Sequence, residues 1–421
     1  MFKKILLIAF ILRIIIVPFY HHDDTYDQLN WAKDLENRSL VGFYQRDIPD
    51  AGPPNYPPVY FLTIYAHNKT YLLLKNILWS LNTSFEIFPS KIYLWFESDL
   101  GRIAFNKILP IIGDLGVGYI IYLFCKKLKN QTLATKALLL YLFLPPSWYI
   151  SSIWGQTDSI YLFPLLASIY FLIIKKNNFL SLILFTISFL IKPLAILILP
   201  IFLIYLIKLP LLKSIKGIIF SFLLFIMVHF PFGLKITEIP NFYIYTVREI
   251  SGYISSNAFN FWGVLYSFGP IKDSANLLGI PVFYWGLIIT FVIMTYIIGL
   301  AVNKSENTIK IIKLTLFSYT SFLFLTRMHE RYFYLTYILF ILSYILFKKI
   351  KWFFYLSCFV FTINLYHYWW VPGGDLFKYF LSNRLVETIF CLVNLLVFFY
   401  LIRYGKRLIK DNSSRTNSER F

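Results

Sequence analysis

The chain has few charged residues, few glycines and few cysteines, and these shortages narrow the class of protein. Charged side chains make up only 14% of its 421 residues, whereas 58% are hydrophobic. Soluble domains carry about 25% charged residues, so this composition, with a mean hydropathy of +0.63, indicates a polytopic membrane protein. The three cysteines, Cys125, Cys358 and Cys391, lie in or at the ends of apolar segments. They offer neither a disulfide framework nor metal-ligand spacing.

Glycine and internal repetition are also scarce. The chain has 18 glycines and no repeat of about 20–50 residues, the period typical of repeat architectures. Secondary transporters are built from repeated halves with Gly- or Pro-interrupted helices, so the sequence disfavours that class. No small-residue cleavage site follows the first apolar segment, and we expect this segment to be a retained membrane span rather than a signal peptide.

Long apolar segments are the dominant feature of the chain. A membrane-spanning helix needs about 20 mostly apolar residues. The segments that can serve are 4–20, 103–125, 133–150, 158–174, 178–191, 193–208, 213–231, 282–302, 310–326, 331–348, 352–370 and 384–402. We therefore predict an all-α fold, a polytopic transmembrane helix bundle of about twelve spans. The shortest segment, 178–191, could be half of a broken helix.

Basic residues occur in short clusters between these segments. The formal net charge is +19, and with about twelve spans every basic cluster falls on one side of the membrane, which the positive-inside rule assigns to the cytoplasm. The charge is therefore explained without a nucleic-acid partner, and we expect none. This parity requires that 58–82 does not cross the membrane. The segment contains His67, Asn68 and Lys69 in its middle, so we expect it to lie on the membrane surface as an amphipathic helix.

The pattern predicts a single membrane domain, 1–402, with both termini in the cytoplasm, followed by a basic cytoplasmic tail, 403–421, which we expect to be disordered. The outer side carries a long first loop, 21–100, with short amphipathic helices, and a second large loop, 232–281. Most chemically interesting residues fall on this side. We therefore expect an extracytoplasmic site in the plasma membrane.

Paired acids, Asp23 and Asp24, open the first outer loop. Carboxylates at a membrane surface are costly to desolvate, so they usually have a function. A short amphipathic helix is predicted by the spacing of Asp24, Asp27, Gln28, Trp31 and Asp34. Its acidic start is either a solvated helix terminus or the place where one carboxylate faces a cavity and takes a proton from a hydroxyl. Adjacent residues cannot share a helix face, so we expect only one of the pair to act as base.

Further candidates lie where predicted spans meet the outer surface. Tyr56 precedes two prolines, which make a stiff extended segment. Trp154, Gln156 and Asp158 lie between the predicted third and fourth spans, and Lys192 lies at the outer end of a span pair. Each of these residues also has a structural interpretation without a site. Tyr56 would lie in a turn, Trp154 in the aromatic belt of the membrane interface, and Lys192 would extend its charged group to the membrane surface.

Four ionisable residues occupy the outer turn between two later spans: Arg327, His329, Glu330 and Arg331. Arginine is disfavoured on the outer side, so the exception indicates an anionic partner, either a lipid head group or a substrate phosphate.

The second large outer loop ends with side chains that suit a sugar. Asn257 and Asn260 offer amides for hydroxyl groups, and Trp262 offers an aromatic face for a sugar ring. From composition alone, a packed loop is almost as good an interpretation.

In chain order, these motifs resemble the C-type superfamily of integral membrane glycosyltransferases. The likeness is greatest to bacterial and archaeal proteins related to the second GPI mannosyltransferase, followed by the dolichyl-phosphate-glucose-dependent transferases of N-glycan assembly. The features that carry it are Asp24 seven residues before Trp31, Tyr56-Pro57-Pro58, Trp154-Gly155-Gln156-Thr157-Asp158, Asn257-Ala258-Phe259-Asn260-Phe261-Trp262 and His329-Glu330-Arg331. Residues 107–122 also resemble the second span of these enzymes.

The resemblance implies an inverting hexosyltransferase. Its donor would be a polyprenyl-phosphate sugar, with mannose or glucose favoured, and its acceptor a lipid-linked glycan, a wall polymer or a protein. It implies Asp24 as general base, with Asp23 as a rival because the paired acids depart from the single acid of the family. A lipid-phosphate leaving group is already acidic, so no general acid is required. We expect no metal or other cofactor either, and the sequence has no DXD motif.

The resemblance and the outer-turn charges also give expected binding roles. We expect the donor phosphate to be bound by Arg327, His329, Arg331 and Lys192. We expect substrate to be bound by Trp31, Tyr56, Trp154, Gln156, Asp158, Asn257, Asn260, Trp262 and Glu330.

Two other functions stay open. A transporter or flippase of lipid-linked sugars would carry charged residues near mid-span, whereas the sequence places most charges at the outer boundary. An oligosaccharide ligase or polymerase would have a large late outer loop, whereas the largest acidic outer loop of this chain comes first.

Overall fold

The computed structural model describes residues 1–248, 252–266, 268–300, 306–367 and 369–418. It is 77% helical with almost no sheet, so the predicted all-α class is confirmed. Its largest apolar core extends over nearly the whole chain, from Ile5 to Leu401.

The first half of the chain forms a series of helices joined by short turns. They are α1 (Phe2–Ile16), α2 (Asp24–Asn37), α3 (Pro58–Ser84), α4 (Ser90–Glu97), α5 (Asp99–Asn106), α6 (Ile108–Leu128), α7 (Gln131–Phe143), α8 (Pro145–Trp148), α9 (Asp158–Tyr170) and α10 (Asn178–Ile191). Two π-helical turns, Tyr149–Trp154 and Phe171–Lys175, flank α9.

The second half adds further helices and four very short strands. The helices are α11 (Leu199–Ile207), α12 (Leu211–Met227), α13 (Ile239–Arg248), α14 (Phe261–Leu265), α15 (Val282–Gly299), α16 (Asn307–Phe324), α17 (Tyr334–Leu346), α18 (Lys351–Tyr366), α19 (Asp375–Leu381) and α20 (Arg384–Ser418). The strands are β1 (Ser255–Ser256), β2 (Asn276–Leu277), β3 (Ile280–Pro281) and β4 (Met328–His329). The 3-10 turns of the chain are Phe43–Gln45, Pro193–Ile198, Phe230–Phe232, Ile236–Glu238, Glu330–Phe333 and Lys348–Ile350.

Within the described residues, 5 helices are long and apolar enough to cross a membrane, or 6 if one bent pair is a single span. They are Asp99–Leu128, Asp158–Lys175, Ser214–Phe232, Val282–Gly299 and Arg384–Lys410, and the bent pair is Gln131–Phe143 with Pro145–Trp154. The other predicted segments are also helical, but several are short; α10 has 14 residues and α17 has 13. The structure thus supports several spans and does not confirm about twelve.

The segment 58–82 forms nearly all of α3, which has 27 residues. Among the described helices, α3 is not one of those apolar enough to cross. It packs against α2, α4 and α10, and its first half buries Phe61 and Ile64. That it lies on the membrane surface stays a prediction.

The helix α20 continues through the first part of the predicted tail to Ser418, and the disorder of the tail stays a prediction. Extending an existing helix needs no new nucleation, so a polar sequence can continue a helix that an apolar sequence started. Residues 419–421 lie outside the described part of the chain.

A buried ion pair ties the first helix to the bundle. Arg13 of α1 and Asp114 of α6 are 2% and 0% exposed, and Arg13 Nε lies 3.4 Å from Asp114 Oδ2. The hydroxyls of Tyr141 and Tyr334 donate to Asp114 Oδ1 over 2.9 Å and 2.6 Å, and Arg13 Nη2 donates to Ser147 Oγ over 3.1 Å. Five helices, α1, α6, α7, α8 and α17, therefore meet at this one pair.

Close helix contacts fix the position of α9. A Cβ on Gly113 of α6 would lie 2.8 Å from the backbone of Ser159. Small residues allow membrane helices to approach closely, so Gly113 lets α6 contact the first turn of α9. This contact sets the place of Asp158, at the start of α9.

Two-residue strands join the second outer loop to the turn before α17. β1 runs parallel to β4, with Ser255 opposite Met328 and Ser256 opposite His329. β2 and β3 form a separate antiparallel hairpin. The β1–β4 pairing brings two segments that are far apart in the chain to the same place, beside the cavity described next.

Candidate active site

The loop before α2 is anchored to the π-helical turn Tyr149–Trp154. The His22 N–H donates to the Trp154 carbonyl over 3.2 Å. Lys107, which is 1% exposed, donates to the carbonyl groups of Ser152 and Ile153 and also to that of Tyr20. A buried lysine that bonds three carbonyl groups joins both segments, so the start of α2 has a fixed position.

Gly155 makes this approach possible. Its φ is 88°, in the left-handed region that favours glycine, and a Cβ there would lie 2.7 Å from Cγ2 of Thr25. The Gly155 carbonyl also accepts a 3.4 Å hydrogen bond from Gln28 Nε2. The glycine within the Trp154–Asp158 motif therefore serves to seat α2 against the π-helical turn.

Asp24 begins α2 and faces the cavity with polar neighbours. Gln156 Nε2 donates to Asp24 Oδ2, and His22 Nδ1 lies 3.3 Å from Asp24 Oδ1. Burial raises the pKa of the Asp24 carboxyl, but the His22 hydrogen bond and the Arg331 charge lower it by more, so that the pKa lies well below its usual range. Asp24 is thus a carboxylate at neutral pH.

The neighbouring acid, Asp23, is placed differently. It is the residue before α2, its side chain is exposed, and it is not among the described residues that line the cavity. Of the two rival bases, the structure brings Asp24 to the cavity.

The β1–β4 pairing places the second half of the site. His329 ends β4, and Glu330 and Arg331 start the following 3-10 turn. Burial, together with the charges of Arg331 and Lys192, holds the pKa of His329 well below its usual range. His329 is therefore neutral at pH 7 and offers an N–H group to an anion rather than a positive charge.

Arg331 lies at the centre of the ionic cluster. Its Nη1 is 3.3 Å from Glu330 Oε1 and its Nε is 3.8 Å from Asp158 Oδ2. Its guanidinium carbon lies 5.6 Å from the centre of the Trp154 ring, within the range of a cation–π contact. Lys192 pairs with the other oxygen of the same carboxylate, Asp158 Oδ1, over 2.6 Å.

A cavity of about 570 Å³ joins these segments. Its described lining residues are His22, Asp24, Trp154, Tyr253, Ser255, Ser256, Asn257, Phe268, Gly269, Pro270, His329, Glu330, Arg331, His367 and Trp369. The volume lies within the about 300–1,000 Å³ of small-molecule sites. The sequence-predicted residues that reach it are therefore Asp24, Trp154, Asn257, His329, Glu330 and Arg331.

Aromatic rings form one wall of the cavity. The ring of His22 lies 4.8 Å from that of Trp154 and 5.0 Å from that of Trp369, and the two tryptophans are 5.5 Å apart, all as centroid distances. Trp369 is missing from the sequence prediction. It lies in a polar, aromatic-rich loop after α18 whose pattern is typical of an interfacial belt, so that no local signal marks it as a site residue.

His367 is a second residue that the sequence prediction missed. Its Nδ1 is 2.6 Å from Asn257 Oδ1 and its Nε2 is 3.0 Å from Glu387 Oε1. Asn257 Nδ2 donates to the His367 carbonyl over 2.9 Å. The amide of Asn257 is thus occupied by His367, and Asn257 shapes the cavity through this partner.

Several buried polar atoms at or next to the cavity have no hydrogen-bond partner among the described residues: Trp154 Nε1, Gln156 Oε1, Asp158 Oδ2 and Arg331 Nε. The last two face each other in the 3.8 Å ion pair, which is too long for a hydrogen bond. Most buried polar groups in proteins are bonded, so unbonded ones call for an explanation. Their concentration here marks the polar wall of the cavity as the part suited to a ligand.

Other predicted site residues have structural partners away from the cavity lining. Trp31 Nε1 donates to the Gly52 carbonyl over 2.9 Å and its ring packs on Phe61. The ring of Tyr56 stacks on Tyr60 at 4.3 Å and also lies 5.9 Å from Lys192 Nζ. Both therefore support the loop that carries the site.

Arg327, Asn260 and Trp262 also have other partners. Arg327 Nε forms a 2.7 Å ion pair with Asp273. Asn260 caps α14 by accepting a 3.1 Å hydrogen bond from the Gly263 N–H, and Trp262 Nε1 donates to the Phe324 carbonyl over 2.8 Å. The structure does not bring these three side chains to the cavity, and their binding roles stay predictions.

Among the described residues, no group of three or more His, Cys, Asp or Glu side chains is placed to hold a metal ion. The expectation that no metal is needed stays a prediction. No family model matches the chain, and no curated protein matches it.

Proposed function

We propose that the protein is an integral membrane glycosyltransferase of the C-type kind. In this proposal it spans the plasma membrane about twelve times, with both termini in the cytoplasm and the cavity open to the outer side. It moves a hexose, mannose or glucose, from a polyprenyl-phosphate donor to a lipid-linked glycan, a wall polymer or a protein.

One observation carries the proposal: Asp24 and Arg331 line the same cavity although most of the chain lies between them. A carboxylate near an arginine supplies the two charges that such a transfer needs, one to take a proton and one to stabilise a leaving anion. Trp154, Asn257 and His329 line the same cavity. Every motif of the resemblance except Tyr56-Pro57-Pro58 therefore contributes a lining residue.

The proposed reaction is an inverting displacement at the anomeric carbon. The acceptor hydroxyl attacks this carbon from the side of Asp24, the bond to the donor phosphate breaks, and Asp24 takes the hydroxyl proton. The polyprenyl phosphate leaves as an anion, which Arg331 stabilises with its charge and His329 with its N–H group. The transition state has oxocarbenium character, as in glycoside hydrolysis.

The low pKa of Asp24 fits this role only when donor is bound. A general base works best when its pKa lies near the working pH. A bound phosphate would offset the Arg331 charge, which is one of the causes that lower the pKa of Asp24. Donor binding would thus raise the basicity of Asp24 and so favour proton transfer in the loaded enzyme.

The aromatic wall supplies a place for the sugar. Trp154 and Trp369 present ring faces beside the charged residues, and the unbonded Trp154 Nε1 can donate to a hydroxyl. Lys192 acts as a positioning residue in this proposal. It neutralises Asp158 at 2.6 Å, and so keeps Arg331 from full pairing with that acid.

A flippase of lipid-linked sugars is the second candidate, and the buried Arg13–Asp114 pair favours it. Ionisable residues inside membrane proteins often mark transport pathways. Asp114, however, accepts hydrogen bonds from Tyr141 and Tyr334 as well as pairing with Arg13. Such a saturated pair supports a structural role, so we place the flippase second.

Sugar transfer in proteoliposomes tests the class of protein. Purified full-length protein would receive labelled polyprenyl-phosphate mannose, glucose, galactose or arabinose, together with a lipid and glycan extract of the source organism. We expect the wild type to move label to an acceptor and Asp24→Asn to leave it on the donor. Label that only crosses between leaflets, at equal rates in both proteins, would overturn the transferase proposal in favour of the flippase.

A further inference from the structure

A second cavity lies near the far end of α9 from the candidate active site. It has a volume of about 200 Å³ and its described lining includes Lys176, Lys208, Lys310 and Tyr205. The helix from Asp158 to Lys175 has 18 residues, which corresponds to about 27 Å at 1.5 Å per residue. The hydrocarbon core of a bilayer is about 30 Å thick, so the length of this helix, which separates the two cavities, nearly matches that thickness.

Positive charge accumulates at this second cavity. Lys310 is close enough to Lys176 and Lys208 for mutual repulsion, and Lys313 is repelled by Lys208 and Lys310. No aspartate or glutamate is among the described residues that line the cavity. Lys310 Nζ donates to Asn307 Oδ1 over 3.1 Å, but a neutral amide does not cancel charge. Like charges held together favour the binding of an anion.

Tyr205 adds a directed donor. Its side chain is 4% exposed, and its hydroxyl has no hydrogen-bond partner among the described residues. Lys310 Nζ lies 5.8 Å from the centre of its ring. A buried hydroxyl without a partner is costly, and an anion oxygen in the cavity would satisfy it. The start of α16 at Asn307 adds the positive end of a helix dipole.

We propose that this cavity binds a phosphate group, either that of an anionic lipid head group or free phosphate. Its volume is below the about 300–1,000 Å³ of small-molecule sites, so it suits a head group or a small anion and not a whole lipid-linked sugar. Basic pockets between membrane helices commonly bind anionic head groups. This inference is independent of the proposed transferase function.

Lipid binding by the purified full-length protein tests the proposal. Native mass spectrometry would count phosphatidylglycerol molecules retained from mixed micelles, with phosphatidylcholine as the neutral lipid. Thermal unfolding would be followed with phosphatidylglycerol, with phosphatidylcholine or with inorganic phosphate. The variants are Lys310→Gln and Tyr205→Phe, and the matched control is Lys349→Gln, a lysine that is exposed in the Lys348–Ile350 turn.

We expect phosphatidylglycerol to bind the wild type and Lys349→Gln saturably and to raise their midpoint of unfolding. We expect Lys310→Gln to weaken binding at least fivefold and Tyr205→Phe about threefold, a loss typical of one hydrogen bond. Inorganic phosphate acting with the same variant pattern, in the absence of an effect of phosphatidylglycerol, would support the site and assign free phosphate as its ligand. Equal binding by Lys310→Gln, Tyr205→Phe and Lys349→Gln would overturn the proposal, because only diffuse surface attraction would then exist.

Discussion

Two ionic clusters of this protein differ in how completely their polar atoms are bonded. Around Arg13 and Asp114, the ion pair and the hydroxyls of Tyr141 and Tyr334 form a network in which none of these four side chains has a buried polar atom without a partner. Around Asp24 and Arg331, a cavity of about 570 Å³ adjoins the charges, and buried polar atoms lack partners.

The difference shows that buried charge alone does not mark a functional site. An ion pair whose polar atoms are all bonded has none left to bind a ligand. Removing one member leaves the other charge buried without a counter-charge. An unsaturated cluster beside a cavity can exchange its partners for those of a ligand. We therefore assign structure to the Arg13–Asp114 pair and chemistry to the Asp24–Arg331 cluster.

Exchanging the proposed base should give the largest effect. In the proteoliposome assay, Asp24→Asn should reduce sugar transfer by about 10²–10⁴-fold, the usual contribution of general acid–base catalysis. Asp23→Asn is the matched control and should retain transfer within a factor of about three, because its side chain is exposed outside the cavity lining. A larger loss in Asp23→Asn than in Asp24→Asn would reverse the assignment.

Breaking the Arg13–Asp114 pair should lower the stability of the protein rather than its transfer activity. Asp114→Asn leaves Arg13 buried without a counter-charge, and we expect a loss of about 3–5 kcal/mol in the free energy of unfolding. A double variant, Arg13→Met with Asp114→Leu, should regain much of this loss, since replacing a buried pair by apolar residues is often neutral. Thermal unfolding of the purified variants measures both.

The transfer activity of the Asp114→Asn and the double variant should be measured as well. Folded protein of either variant should keep the donor KM of the wild type. A raised donor KM with unchanged stability would place the Arg13–Asp114 pair in substrate handling and would favour the flippase.

A conservative change in the Asp24–Arg331 cluster should have an intermediate effect on sugar transfer. Arg331→Lys keeps the positive charge but loses the planar guanidinium that lies over Trp154 and can bond a phosphate with two N–H groups. We expect kcat/KM for the donor to fall roughly 10–100-fold. Arg327→Lys is the matched control, because Arg327 is paired with Asp273 away from the cavity lining. Equal losses in both variants would contradict a special role of Arg331.

The pH dependence should be the smallest effect. Because the folded pKa of Asp24 lies below the value of about 3.9 for an unfolded aspartate, its stabilising contribution is complete above that value. It is lost as the pH falls through the folded pKa. The difference in unfolding midpoint between wild type and Asp24→Asn should therefore stay constant from pH 5 to pH 8. A wild type that becomes more stable relative to Asp24→Asn as the pH falls from 7 to 5 would show a raised pKa instead.

The helical elements could be predicted because long apolar runs determine them. Each predicted apolar segment is largely helical over its described residues, and the spacing of Asp24, Gln28 and Trp31 correctly predicted α2. The number of membrane spans could not be predicted from these runs in the same way. Helices such as α10, with 14 residues, are too short for length and composition alone to decide whether they cross.

The site could be predicted only where local motifs carry it. Asp24, Trp154 and His329 stand in recognisable patterns, and all three line the cavity. Trp369 and His367 come from a loop whose sequence resembles any membrane interface, and only long-range packing turns them inward. The pairing of Arg13 with Asp114 is likewise invisible in sequence, because each is a lone charge in an apolar run.

Asn260 shows that one residue can fit two interpretations of the same sequence. Its amide suggested sugar binding, but it caps α14 by accepting from the Gly263 N–H three residues later. Asparagine is a preferred N-cap residue, so the start of a helix was an available interpretation of the same residues.

The most direct measurement is an experimental structure of the full-length protein with a non-transferable polyprenyl-phosphonate sugar. The account predicts the phosphonate within about 3 Å of the Arg331 guanidinium, the sugar ring against Trp154 and Trp369, and Asp24 on the opposite side of the anomeric carbon. A phosphonate bound outside this cavity, or Asp24 on the same side of the anomeric carbon as the phosphonate, would contradict it.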